Sequence, residues 1–278
     1  MFKTARTLLL YTLEPVHIGA ATGARGVDLP QTRDAWDDEP ILPFSALRGM
    51  LADVCDPALR AVLLGAPSPG PRGVISPADA RPVLFPVPSV AAGFAWITSP
   101  RWLARVSEPP DGVEVGPGQV VICQDSALDL RSGHGEGRVA LAGTLFAARR
   151  DDTAFQGLRR WVSDILPDPD ALGRRLAVVS DDECGRLLEH GMERRHRIRV
   201  EEGTVAPRAL WSVEAIPRDA VFAAPLLAAS PKLWDAAVRP QTAEKALERL
   251  REFLDRAEWV TIGGEITVGW GRCLARLC

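Results

Sequence analysis

The sequence predicts an α+β fold built on an antiparallel sheet, and two observations carry that expectation. The chain opens with a strand, a long loop and a helix, and it closes with a helix, a strand, a glycine turn and a strand. Between these ends, strands and helices do not alternate throughout, as a doubly wound parallel sheet requires. With 278 residues, 46% of them apolar, the chain can form one large domain or two small ones sharing a core. No apolar run reaches the roughly 18 residues of a membrane span. The N-terminus enters a strand pattern without a signal-peptide profile. The cysteines (Cys55, Cys123, Cys184, Cys273 and Cys278) lack any CxxC pair, which argues for reduced thiols and a cytoplasmic location, against a disulfide framework or zinc site.

In chain order, a first strand covers about Arg6–Pro15, followed by a polar loop that runs from His17 to Arg48. That loop buries little apolar surface, and loops on a rigid scaffold are where chemistry tends to sit. A helix begins at Ser45, the expected N-cap, with Leu47, Met50, Leu51 and Val54 on one face. Asp56-Pro57 ends it; a short helix follows to Gly65. Residues 66–73 are too rich in Pro and Gly for regular structure. Strands are expected at Gly73–Ser76, Arg81–Val87 and Ala92–Thr98, then a helix over Pro100–Val106 and a Pro/Gly-rich insertion at Ser107–Gly118. Val120–Cys123 and Val139–Leu145 read as strands around a polar hairpin containing His134. Phe155–Leu166 carries a helical stripe that Pro167-Asp168-Pro169 breaks. Leu176–Ser180 reads as a strand and Asp181–His190 as a helix. Arg194–Glu214 reads as a β-hairpin turning at Glu-Glu-Gly-Thr. A helix capped by Thr242 runs to Ala257, with Glu252 and Arg256 at i,i+4 spacing. Strands at Trp259–Ile262 and Arg272–Leu277 flank the terminal glycine loop.

Net charge is −3, which does not itself suggest nucleic acid. Of the 33 basic residues only Lys3, Lys232 and Lys245 are lysines; the rest are arginines, whose planar fork fits phosphate. The densest basic run is Arg194, Arg195, Arg197 and Arg199 with His196 among them. On a strand, alternate members share a face, so the run can hold a phosphate backbone or simply protect an edge. Gly263, Gly264, Gly269 and Gly271 fit neither G-x-G-x-x-G nor a P-loop. They allow close approach to another backbone or to a phosphate chain. His17 stands alone at a strand end, where a structural role is the commoner one. Asp28, on a loop stiffened by Pro30, can ligate a metal, accept a proton or close an Asx-turn. Asp34, Asp37, Asp38 and Glu39 read as a solvated loop surface.

Several segments carry a family resemblance: Leu13–Gly19, Gly26–Arg33, Pro40–Pro43, Ser45–Gly49, Asp79–Ser89, Phe94–Pro100, Ala209–Trp211 and the loop Ile262–Gly271. On these the chain resembles the RAMP superfamily of CRISPR systems, and within it the backbone nuclease subunit of the type III-B Cmr effector complex. The resemblance implies a single domain over residues 1–278: a modified RRM-like (ferredoxin-like) palm with inserted lid segments and a thumb β-hairpin at about 194–214. It implies an endoribonuclease that stacks in copies along a CRISPR guide RNA, beside other Cmr subunits. It would cut the paired single-stranded target RNA at regular intervals, using Mg²⁺ or Mn²⁺ and the RNA's own 2′-hydroxyl. No membrane partner is implied. Asp28 takes the place of the cleaving carboxylate and metal ligand, with His17 as a helper. Arg48 and Ser45 at the helix start, Arg197 and Arg199 on the hairpin, and Gly263, Gly264, Gly269 and Gly271 take RNA-binding places. An aspartate titrating near roughly 3.9 is a poor base for a sugar hydroxyl, so metal binding is the better role for Asp28. The alternatives are a non-catalytic subunit that only holds the guide, or a metal-independent guide-processing endoribonuclease.

Overall fold

The first strand, β1 (Phe2–Thr12), is buried on both faces along its second half. Successive strand side chains point to opposite sides, and here Leu8 and Leu10 enter one hydrophobic cluster while Leu9 and Tyr11 enter another. The computed structural model describes residues 2–20, 26–66, 70, 72–106, 113–130, 137–201, 204–230 and 240–278. The remaining strands are β2 (Ile75–Pro77), β3 (Arg81–Ser89), β4 (Gly93–Thr98), β5 (Gln119–Ile122), β6 (Gly137–Leu141), β7 (Thr144–Arg150), β8 (Leu176–Val178), β9 (Glu193–Glu201), β10 (Thr204–Ala215), β11 (Val221–Ala229), β12 (Val260–Thr261) and β13 (Arg272–Leu277). The helices are α1 (Phe44–Val54), α2 (Pro57–Leu64), α3 (Pro100–Leu103), α4 (Gln156–Val162), α5 (Pro169–Arg175), α6 (Asp181–Gly191) and α7 (Ala243–Arg256).

The main sheet runs β12-β13-β1-β11-β3-β4-β8-β5-β7-β6, with β2 alongside β11. A pairing of Ser89 with Leu141 joins β6 back to β3, so the last six strands of this order close on themselves. The expected antiparallel sheet is therefore mixed: β4–β8 and β5–β7 are parallel. Each parallel pair is joined by a long connection, as parallel pairing requires. Helices α1, α6 and α7 pack on the first cluster through Leu47, Met50, Leu51, Cys184, Leu187, Leu188, Leu247, Leu250 and Leu254. Helices α4 and α5 cover the second through Leu158, Val162 and Leu172.

Several local expectations need correction. Ser45 does not cap α1. The helix starts two residues earlier, with Pro43 in the cap position and no side-chain bond from it; the Phe44 amide instead donates to Asp79 Oδ1 at 2.7 Å. The cap comes from a residue distant in sequence but adjacent across the Leu42–Ala80 bridge. The two strands expected around His134, at Val120–Cys123 and Val139–Leu145, do not pair with each other, though Asp129 bridges Val139 across that segment. Strands β6 and β7 are joined by Ala142 and Gly143, both at positive φ, as a two-residue I′ turn demands. His134 lies outside the described residues. The helix expected to run to Leu166 ends at Val162, before Pro167 is reached, and Asp168 caps α5, accepting from the Ala171 amide at 3.2 Å. Glu252 pairs with Arg249 at 2.8 Å, not with Arg256. Among the described residues no helix is long and apolar enough to cross a membrane. All five cysteines are free, and burial pushes the thiols of Cys55 and Cys273 up to about 11 and about 12.

Candidate functional site

Strands β9 and β10 form a separate two-stranded sheet, the hairpin expected at Arg194–Glu214. Its base is a buried ion network. Glu214 is fully buried and accepts from Arg33 at 3.2 Å and Arg194 at 3.4 Å; Arg33 also meets Glu189 at 2.5 Å. Removing one partner from such a network leaves a buried charge uncompensated, which is costly. The network ties the loop, α6 and the hairpin into one frame.

Onto that frame the loop delivers Asp28. Val27, Pro30 and Gln31 are buried on either side of it. The Gln31 side chain accepts from the Ile18 amide at 2.9 Å and donates to Ile41 O at 3.2 Å. Leu29 bridges β10 in parallel: its amide donates to Ser212 O at 3.0 Å, and the Glu214 amide donates to Leu29 O at 3.0 Å. Asp28 itself remains exposed. Its Oδ2 accepts from both the amide and the hydroxyl of Ser212, each at 2.8 Å, and its own amide donates to Ser212 Oγ at 3.0 Å. These Ser212 bonds, first the backbone and then the side chain, hold the Asp28 carboxyl below the usual carboxylate range, with a contribution from the nearby charge of His196. The group is thus an anion at neutral pH, fixed in direction. Ser212 was not legible as a partner from sequence, because the contact depends on how the hairpin folds back onto the loop.

His17 is nearly buried. Its Nδ1 lies 2.6 Å from Glu214 O; a carbonyl only accepts, so Nδ1 carries the proton there. The carbonyl of His17 accepts from the Gly264 amide at 2.8 Å. The structure brings His17 and Asp28 against the same strand, β10, the histidine ring at Glu214 O and the carboxylate at Ser212.

The glycine loop packs by backbone contact. A Cβ on Gly263 would fall 2.4 Å from His17 O, and one on Gly271 would fall 2.5 Å from Ile262 O. The amides of Gly264, Gly269 and Gly271 donate to His17, Ile266 and Pro15 carbonyls. The amides of these three glycines are therefore already engaged within the protein; of them, Gly269 has open space around it. Arg197, expected at a phosphate, pairs with Glu265 at 3.3 Å and lies over the Trp270 ring at 4.7 Å, clasping the hairpin to this loop. The side chain of Arg199 lies outside the described residues. Arg48 and Ser45 are exposed on α1, and among the described residues the Arg48 guanidinium has no ion pair or hydrogen bond.

Within the acidic cluster Asp38 is exposed as expected, but Asp34, Asp37 and Glu39 are not a solvated surface. Glu39 is buried, held by Arg101 and Arg105 at 2.6 Å each and by the Trp102 indole at 2.7 Å. Asp34 and Asp37 both pair with Arg81. These acids fix the loop's far end to β3 and α3.

Among the described residues no group of three His, Cys, Asp or Glu side chains gathers to hold a metal ion. What the chain offers is one ionised, oriented carboxylate. That suits a hydrated Mg²⁺ or Mn²⁺ whose other ligands are water and phosphate, which is how Mg²⁺ is commonly bound.

The model of the RAMP superfamily matches residues 9–274. The chain is 27% identical over 280 residues to the CRISPR system Cmr endoribonuclease Cmr4 of Pyrococcus furiosus, covering 94% of this chain and 92% of that protein. Its fold is similar to that of oligomeric Cmr4 from Pyrococcus furiosus, with a TM-score of 0.70 at 21% identity over 98% of this chain and 97% of the other. A chain of the type III-B Cmr-beta complex bound to cognate target RNA gives a TM-score of 0.70 at 18% identity, covering 99% and 98% respectively.

Proposed function

The chain belongs to the RAMP superfamily, and from that premise we propose that it is the backbone nuclease subunit of a type III-B CRISPR effector complex in the cytoplasm. In this reading, copies stack along a guide RNA, beside other Cmr subunits, and cut the paired target RNA once per copy. The palm is the main sheet with its helices, and the β9–β10 hairpin is the thumb. The curated relative's name, a Cmr endoribonuclease matched along nearly its full length, supports the activity. The observation that carries the assignment to a site is Asp28: exposed, ionised and locked by Ser212 at the root of the hairpin.

The geometry suits strand cleavage by the RNA's own 2′-hydroxyl. The 2′-oxygen attacks the adjacent phosphorus, the bond to the 5′-oxygen breaks, and a 2′,3′-cyclic phosphate and a 5′-hydroxyl result. Such a reaction depends on in-line geometry and on stabilising charge at the phosphate. Asp28 would hold a hydrated divalent ion, which would supply charge neutralisation at the scissile phosphate. His17 holds β10 to the loop, so Asp28 keeps its direction. Arg48, projecting from α1, contacts guide phosphates as a bidentate donor.

The test is target cleavage by complexes assembled on guide RNA with Mg²⁺ present, comparing wild type with Asp28→Asn. The expected result is an evenly spaced ladder of products that disappears in the variant while guide binding persists. A ladder that survives in Asp28→Asn sinks the assignment and leaves a subunit that only holds the guide.

A further inference from the structure

Resting on the ribonuclease reading above, we propose that His196 is a further catalytic residue, donating the proton that the departing 5′-oxygen takes up. Breaking the bond from phosphorus to that oxygen leaves an alkoxide, a poor leaving group unless it is protonated as it departs. Asp28 is ill suited to the task, because its Oδ2 already accepts two bonds from Ser212 and the carboxylate is assigned to the metal.

The hairpin register points to the donor. His196 on β9 stands directly opposite Ser212 on β10, and directly opposed residues in an antiparallel pair project their side chains from the same face. That face is fixed by the hydroxyl of Ser212, which lies 2.8 Å from Asp28 Oδ2. The imidazole of His196 therefore projects on the side of the hairpin where the carboxylate sits. Neighbouring rungs of the same face do not compete. Toward the base, Glu214 is fully buried against Arg33 and Arg194. Toward the tip, Ile198 and Leu210 are exposed and apolar. His196 is exposed, and histidine is the side chain best able to give and retake a proton near neutrality. His17 is nearly buried with its Nδ1 committed to Glu214 O.

The step balances without any added reagent. The 2′-hydroxyl proton passes to solvent as the new P–O bond forms. The imidazolium proton passes to the 5′-oxygen as the old one breaks, and solvent reprotonates the ring.

The discriminating substrate is a target RNA with sulfur replacing the 5′-oxygen at a single cleavage site, since a thiolate leaves without needing a proton. Wild-type and His196→Gln complexes, assembled on the same guide, are compared on the oxygen and sulfur substrates with guide affinity measured alongside. His196→Gln is expected to slow the oxygen substrate about 100-fold or more, to cut the sulfur substrate within a few-fold of wild type, and to bind guide normally. An equal loss on both substrates, no loss on either, or lost guide affinity overturns the proposal. Asp28→Asn on the same substrates separates the two readings. If it abolishes cutting while His196→Gln does not slow it, only the histidine's role falls.

Discussion

At the scale of single residues, Asp28 shows how an exposed carboxylate can be tuned without burial. Two charge-assisted bonds to its Oδ2 stabilise the anion relative to the acid, so the titration is shifted down although the group faces water. Ser212→Ala removes the hydroxyl bond and leaves the amide bond. The Asp28 midpoint, followed by carboxyl-carbon NMR, is expected to rise toward the ordinary aspartate value; an unchanged midpoint would mean the hydroxyl contributes nothing. The sign follows from linkage: a carboxyl depressed in the folded state adds stability above its unfolded pKa and loses it as pH falls through the folded one. Asp28 was legible as a candidate because Pro30 and the flanking glycine set it apart on a stiff loop. Ser212 was not, since its contact crosses the chain from 212 to 28. Glu39 was misread for a related reason. Acids clustered in a loop default to the surface, and only the fold reveals that Arg101, Arg105 and Trp102 converge on it.

At the scale of elements, legibility followed periodicity. Helices α1 and α7 were visible as stripes, α6 as a helix, and the β9–β10 hairpin as two strand-like arms about a glycine turn. Strand β11 was missed altogether. Its sequence, Val-Phe-Ala-Ala-Pro-Leu-Leu-Ala-Ala, is continuously apolar and poor in β-branched residues, so no alternation marks it as a strand. Pro225 argued against one as well, yet it sits in the gap between the residues of β11 that pair with β3 and those that pair with β2. The start of α1 is the sharper lesson, because a plausible cap inside the motif was displaced by Asp79 from another segment. Asp79→Ala is expected to lower stability by about 1 kcal/mol in urea unfolding, the usual cost of a lost cap. Ser45→Ala, exposed in the first turn, is expected to change it by less than about 0.5 kcal/mol. The reverse order would refute the cap assignment.

At the scale of the whole molecule, the charge is −3, so no global field draws the chain to RNA and attraction must come from local cations. Many arginines are already engaged: Arg33, Arg81, Arg105 and Arg197 all brace the loop or the hairpin. Arg48 is the exposed exception at the helix start. Arg48→Ala is expected to weaken guide binding and to flatten the dependence of log affinity on log salt by about 0.7 to 0.9, the share of one phosphate contact. Thermal stability should not move; an unchanged salt slope would remove Arg48 from the interface. Composition alone could not separate bracing arginines from binding ones. The pairing of β1 with β11 has a further consequence, for folding. Leu8 lies beside Ala224, so the two strands meet across a loop of roughly two hundred residues, and contacts of that separation form late and slowly. During synthesis the apolar face of β1 must wait, exposed and liable to mispair, until most of the chain has left the ribosome. A nascent chain released early would thus present an open edge to its neighbours.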